Sequence, residues 1–262
     1  MILFRAVVRL CLFMGITALM IVPHLIVMLF TRGAAAEILP MIWYRIVCRI
    51  FAIRIHIHGT PVQTRPVMYV SNHISYLDIP VIGTVIRGCF IAKSEVANWP
   101  LFGFLSKCAQ TIYVKRNARD ALQDNQKISE AIMNNKNIII FPEGTSSTGE
   151  NVLKFKSTLF SVIFLDPDVR QRILIQPFTV KIEKINGRHI SDDLSLRDQY
   201  AWYGDMTLAP HLWELAKSES TDISLFFHPP RNAVDFECRK TLAKDCEIEV
   251  AKPLSSDITL AA

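Results

Sequence analysis

The chain has 262 residues, half of them hydrophobic, and 29 basic against 24 acidic side chains give a formal charge of +5. The length suits one catalytic domain. The small charge excess, without aromatic–basic interleaving, argues against a nucleic-acid-binding module and suits a surface resting on anionic lipid headgroups.

Leu10 to Phe30 is almost wholly apolar, with Arg5 and Arg9 before it and Arg32 after it. About 20 such residues are long enough to cross a bilayer. A cleaved signal sequence has a shorter core before a small-residue cleavage site, which Ala34-Ala35-Ala36 imitates. Ile38 to Ile53 is also apolar, but Arg45 and Arg49 share one helical face beside Trp43 and Tyr44. That pattern reads as an interfacial helix with its arginines toward the headgroups. Basic residues flank both ends of the first segment, so charge bias does not orient it. Pro23 is expected to divide it into two short halves. The expectation is a shallow hairpin or monotopic anchor over residues 1–53, with a full crossing as the alternative, and a cytosolic catalytic domain over 54–262.

Ile53 to His58 alternates with period two and reads as a strand whose wet face carries His56 and His58. Val67–Val70 is a short buried strand that leads into Ser71-Asn72-His73 and a helix over Asp78–Ile86. Further strands are expected at Cys89–Ala92, Thr111–Val114, Asn137–Phe141, Ile173–Ile182 and Ile223–Phe227. Helices are expected at Trp99–Cys108, at Asp120–Asn134 with Leu122, Ile128 and Ile132 on its apolar face, at Phe155–Leu165, at Pro210–Ala216 and at Asp235–Ala251. Alternation of strands and helices predicts an α/β fold, a largely parallel central sheet flanked by helices, behind the N-terminal membrane-anchoring helical segment. The cysteines at 11, 48, 89, 108, 238 and 246 form no C-x-x-C pair and read as reduced, mostly buried thiols.

Two clusters carry chemistry. Asn72-His73-Ile74-Ser75-Tyr76-Leu77-Asp78 sets a histidine and a carboxylate five residues apart at a strand-to-helix junction, the end of an α/β sheet where ligands bind. On one regular helix those positions lie about 140° apart and do not meet. They meet if His73 is in the loop and Asp78 in the first helical turn. A neutral imidazole is a base for a hydroxyl near neutral pH, and a carboxylate fixes its tautomer and stabilises the imidazolium. The strand Asn137–Phe141 then runs into Pro142-Glu143-Gly144-Thr145, where Gly144 brings bare backbone N–H groups near a ligand and Glu143 is placed to bond a substrate hydroxyl.

Asn-His-x4-Asp followed about seventy residues later by Phe-Pro-Glu-Gly-Thr resembles the glycerolipid acyltransferase family, especially the bacterial 1-acylglycerol-3-phosphate acyltransferases. Tyr113-Val114-Lys115-Arg116 and Ile175-Gln176-Pro177-Phe178 resemble two weaker blocks of that family, in the same order. The resemblance covers roughly Arg54 to Ile182 and the anchor. It implies that His73 takes the proton of an acceptor hydroxyl while Asp78 orients it, and that the oxygen attacks acyl-CoA or acyl-carrier protein directly. No cofactor or metal is implied, no second histidine stands by for a metal site, and Ser71 and Ser75 are the candidates for a rival covalent route. General-base help is worth about 10²–10⁴-fold and the joint holding of both reactants about 7–11 kcal/mol. The expected substrate contacts are Asn72, Lys115, Arg116, Glu143, Gly144, Thr145 and Lys156. The expected partners are a lysolipid acceptor, the acyl thioester and membrane lipid, at a bacterial inner membrane with a cytoplasmic catalytic face.

One position departs from the pattern. Many members carry arginine after Phe-Pro-Glu-Gly-Thr, and here Ser146 stands there, without a cationic fork for a phosphate. Lys115, Arg116, Lys154 or Lys156 can hold a phosphate instead, the last two at the start of the next helix. The segment Tyr200-Ala201-Trp202-Tyr203-Gly204-Asp205-Met206 and Leu208 to Trp213 resembles a bacterial branch that includes enzymes acylating lyso-ornithine lipid, a zwitterionic acceptor that suits Ser146. Asp205 is then a candidate partner for a substrate amine, and a packed cap over the acyl tunnel is the plainer reading of the aromatic stretch. The leading expectation is formation of phosphatidate from 1-acylglycerol-3-phosphate, with lyso-ornithine lipid acylation as the alternative, then a non-catalytic lipid-binding protein and a metal-dependent hydrolase.

Overall fold

The computed structural model describes residues 1–64, 66–115 and 119–255. Its N-terminal segment is one helix, α1 (Ile2–Phe30), which runs unbroken through Pro23. The expected break is absent. Proline removes one intrahelical bond, a local cost of about 3 kcal/mol, and α1 is tied to the body of the protein on both sides of it. At its start the Arg5 guanidinium donates to the Lys217 carbonyl and Arg9 Nη1 to that of Ala216 at 3.3 Å. Farther along, Trp43 Nε1 donates to Thr17 Oγ1 at 3.0 Å and His24 Nε2 to the Cys108 carbonyl at 2.8 Å. Arg5 and His24 are about 28 Å apart along a helix, so α1 lies along the domain. Its outer face leaves Leu19 and Leu29 exposed to 70% and 81%.

A short 3-10 turn leads into α2 (Ile38–Ile50). Arg45 and Arg49 are exposed on α2, where the Arg45 guanidinium donates to the Thr84 carbonyl at 3.3 Å, and Tyr44 is buried. It packs on Gly83, where an added Cβ would lie 2.3 Å from the Tyr44 ring, so only glycine admits this contact.

The chain then alternates through β1 (Ile53–His58), β2 (Val67–Ser71), α3 (Asp78–Gly83), β3 (Cys89–Lys93), α4 (Phe102–Cys108), β4 (Ile112–Val114), α5 (Ala121–Met133) and β5 (Ile138–Ile140). After α6 (Ser161–Leu165) and α7 (Pro167–Arg172) come the long β6 (Leu174–Ile185), β7 (Arg188–His189), α8 (Leu208–Lys217), β8 (Thr221–Phe227), β9 (Arg231–Asn232) and α9 (Arg239–Ser255). The sheet order is β1-β8-β6-β2-β5-β3-β4, with β7 and β9 beside β6. From β6 to β4 all pairs are parallel, while β8 meets β6 antiparallel and β1 parallel. The expected α/β class with a largely parallel sheet holds.

The strand pattern explains the layering. In β2 every residue is buried: Val67 and Tyr69 face a core shared with α2 and α3, and Met68 and Val70 face one shared with α5 and α9. β1 keeps the expected wet face, where Arg54 and His56 both bond Asp222. Two expectations fail locally. Leu122 is 80% exposed on α5. The helix expected from Phe155 begins as a 3-10 turn at Ser157–Phe160, so no α-helical N-terminus follows Lys154 and Lys156.

Candidate active site

The parallel strands deliver the site. β2 ends at Ser71, just before His73; β5 ends at Ile140, just before Phe141 and Glu143; β3 ends at Lys93; β4 ends just before Lys115. Carboxyl ends of parallel strands are where such sheets bind ligands.

His73 and Asp78 meet as required, with His73 in the loop and Asp78 in the first turn of α3. Nδ1 of His73 is 2.8 Å from Oδ2 of Asp78. A carboxylate only accepts, so Nδ1 carries the proton and Nε2 keeps the lone pair. The same Oδ2 accepts the backbone N–H of Ile74 at 2.7 Å and of Ser75 at 3.0 Å, and Oδ1 accepts the Tyr200 hydroxyl at 3.0 Å. Asp78 is wholly buried, whereas the His73 side chain keeps 22% of its surface. The imidazole stacks on Phe141, with centroids 4.2 Å apart and planes 11° apart.

His73 opens onto a cavity of about 420 Å³. Its walls include Phe13, Thr17 and Met20 of α1, Trp43 and Val47 of α2, and Leu105 of α4. It is lined as well by Phe141, which stacks on His73, by Gly144, Thr145, Ser146 and Lys93, and by the aromatic residues Tyr76, Trp99, Phe102, Trp202 and Tyr203. The N-terminal helices are therefore walls of the site. Phe13 and Trp43 face inward: their ring centroids lie 6.0 Å apart, and the Trp43 N–H is spent on Thr17.

The remaining expected contacts divide. Gly144 and Thr145 line the cavity, but the Gly144 N–H closes a turn on the Phe141 carbonyl at 3.0 Å, so it is not bare. Glu143 turns away from the cavity. One oxygen accepts the His73 backbone N–H at 3.3 Å and the other the Leu153 N–H at 3.1 Å. Burial pushes its carboxyl up to about 8, against the lowering effect of those two bonds. Asn72 is also internal: its carboxamide donates to the Val180 carbonyl at 2.9 Å and accepts the Val180 N–H at 2.8 Å, stapling the end of β2 to β6. Lys115 is exposed and ion-paired with Asp120, one residue beyond a strand end that neighbours β3. Lys156 is exposed, with its backbone N–H on Pro142. Neither lysine lines the cavity. Arg116 lies outside the described residues. Ser71 and Ser75 are fully buried off the cavity wall, with Ser71 bonded to Asn72 and Ser75 accepting from the Leu77 N–H, so neither is placed as the nucleophile of a covalent route.

The sequence reading missed Lys93, and took Tyr200 only as the start of an aromatic stretch, without its contact to Asp78. Lys93 had a usable signal, because it directly follows an expected strand just as His73 does. The Tyr200–Asp78 contact had none, since the two lie 122 residues apart.

An α/β sheet that holds a histidine–carboxylate pair at the wall of a largely apolar chamber has the parts needed to activate a substrate hydroxyl, the chemistry of an acyl-transfer enzyme. Comparison with known proteins names the family. Residues 54–181 match the acyltransferase family model. The lyso-ornithine lipid O-acyltransferase of Rhodobacter capsulatus is 34% identical over 210 residues, 78% of this chain and 73% of that protein. The enzyme of the same name from Brucella abortus is 30% identical, covering 91% of this chain and 90% of the relative. The crystal structure of the 1-acyl-sn-glycerophosphate acyltransferase PlsC from Thermotoga maritima shares the fold, with a TM-score of 0.67 at 19% identity over 98% of this chain and 97% of that one. This chain belongs to the acyltransferase family.

Proposed function

We propose that this protein is a membrane-associated O-acyltransferase that acylates the free hydroxyl of lyso-ornithine lipid, with acyl-CoA or acyl-carrier protein as donor. The observation that carries the reaction type is the His73–Asp78 pair, 2.8 Å apart, at the wall of an apolar chamber. Nε2 takes the hydroxyl proton as the oxygen attacks the thioester carbonyl. The tetrahedral intermediate expels the thiolate, and the imidazolium returns the proton to it. The chamber takes acyl chain, burying apolar surface at about 25 cal/mol per Å².

The polar part of the chamber lining favours this acceptor. Ser146 lines the chamber where a cationic fork would grip a phosphomonoester, and Lys93 contributes a single cation suited to one carboxylate. The aromatic wall of Tyr76, Trp99, Phe102 and Trp202 offers faces compatible with an ammonium group. The relatives from Rhodobacter and Brucella carry the same activity in their names. This reverses the ranking from the sequence motifs. Acylation of 1-acylglycerol-3-phosphate is the second reading, favoured by Lys93 and Lys115 standing at neighbouring strand ends.

α1 with its exposed apolar face is long and apolar enough for a membrane. Tethers from Arg5 to His24 hold it along the domain, which supports a monotopic seat on the cytoplasmic face of a bacterial inner membrane. Protease added outside sealed inverted vesicles should then cut the C-terminus. Protection there would require a full crossing.

Membrane fractions given labelled acyl-CoA or acyl-carrier protein and each lysolipid in turn test the acceptor. Product from lyso-ornithine lipid, lost in His73→Ala, is expected. Transfer to 1-acylglycerol-3-phosphate alone would install the second reading.

A further inference from the structure

Asp78 is held from both sides. Its Oδ2 is taken by His73 and by two backbone N–H groups of its own loop. The recorded partner of Oδ1 is the Tyr200 hydroxyl at 3.0 Å, in a chain segment that follows β7 and lies beyond the family-matched residues 54–181. Tyr200 has no exposed surface. Its segment is also fastened to the His73 loop, since the Trp202 N–H donates to the Ile74 carbonyl at 3.0 Å. On the far side Arg197 pairs with Glu150 at 3.4 Å, in the loop that follows Glu143. Three successive points thus clamp this strap over the two loops that carry the chemistry.

We propose that Tyr200 is a positioning residue that completes a His73–Asp78–Tyr200 relay, fixing the carboxylate so that His73 Nε2 faces the acceptor hydroxyl and setting how readily the imidazole takes its proton. The geometry leaves the phenol one role. A carboxylate can only accept, so Tyr200 donates, and the positive end of its O–H dipole lies against the charge that His73 also senses. Burial and the charge of Asp78 both push the phenol up, so it stays protonated as a donor throughout the working range. A hydrogen bond to a buried charge is stronger than one between neutral groups, and a buried carboxylate oxygen that loses its partner is costly. Other titratable groups around this pair are few. Glu143 approaches from the loop after β5, Cys48 from α2, and Tyr76 from the His73 loop itself, with His211 of α8 bonded to Tyr76 at 3.0 Å.

The inference rests on His73 being the base, and the two fail differently. If His73→Ala keeps full activity, the base reading falls. If His73→Ala is inactive, Tyr200 is tested on its own. In Tyr200→Phe, kcat should fall about tenfold with KM for both substrates unchanged, the size expected for one charge-assisted bond. Removing the donor leaves the Asp78 charge less compensated, so the imidazolium forms more easily and the acid limb of the kcat–pH profile should move to higher pH. A ring-fluorinated tyrosine at the same position keeps the shape and strengthens the donor, so its acid limb should move to lower pH. Because it preserves packing, it reads out the relay even if Tyr200→Phe folds poorly. Opposite shifts in the two proteins establish the relay. An acid limb that stays in place in both, whatever happens to the thermal midpoint, overturns it and leaves Tyr200 as core packing.

Discussion

At the strand ends the polar groups around His73 are bonded to one another, whereas along α1 and α2 an apolar wall is held by a handful of polar tethers. The first region fixes atoms to within a hydrogen bond: Asp78 receives four donors and the His73 backbone is gripped by Glu143. The second fixes a shape, through rings such as Phe13 and Trp43 and single bonds from Thr17 and His24. Chemistry needs direction, which hydrogen bonds supply. An acyl chain needs volume and dryness, which packing supplies. Substitutions in the first region should therefore change turnover, and those in the second should change stability and substrate choice.

The sharpest break of that division is expected at His73, the proposed base. His73→Ala and Asp78→Asn should each lower kcat by about 10²–10⁴-fold, with little change in binding of the acyl donor, read from steady-state transfer. A loss confined to KM would mean that the dyad only binds. On the packing side, Gly83→Ala drives a methyl group into the Tyr44 ring. It should cost about 1–3 kcal/mol of stability by denaturant unfolding, with turnover per folded molecule preserved if Asp78 at the start of the same helix is undisturbed.

Glu143 tests the boundary between the regions through pH. Its carboxyl is raised from an ordinary value near 4.5 to about 8. The stability it contributes is full below 4.5 and is lost as pH rises through about 8. Glu143→Gln should flatten the fall of the thermal midpoint across that window, and an unaltered slope would show that another group titrates there. The smallest effect is expected at the tether of α1 to α4. His24→Leu should remove about 1 kcal/mol, leave the acid limb of the rate profile in place and alter the preference among acyl donors of different chain length, measured by direct competition.

The legible part of the site was local. His73 and Asp78 lie within one turn-and-loop, so their spacing and the buried strand before them were enough to bring them together. The fold class followed from alternating apolar runs such as Val67–Val70 and Ile138–Ile140, whose burial on both faces demands helices on each side. Glu143 was recognised as important and given the wrong neighbour, because a sequence does not tell whether a carboxylate at a turn faces solvent, ligand or its own backbone. Asn72 is the same case, with Val180 as its partner from a distant strand.

The order of residues alone determined the alternation of strands and helices, the apolar N-terminus and the histidine–carboxylate spacing, since each depends on neighbours along the chain. Tertiary structure alone decided that α1 runs through Pro23 as a wall of the chamber, that Lys93 joins its lining, and that Tyr200 reaches Asp78 across 122 residues. The strand order β6-β2-β5-β3 brings distant segments to the carboxyl ends of neighbouring strands. Burial and hydrogen bonding then select partners by proximity in space, and no local pattern encodes that proximity.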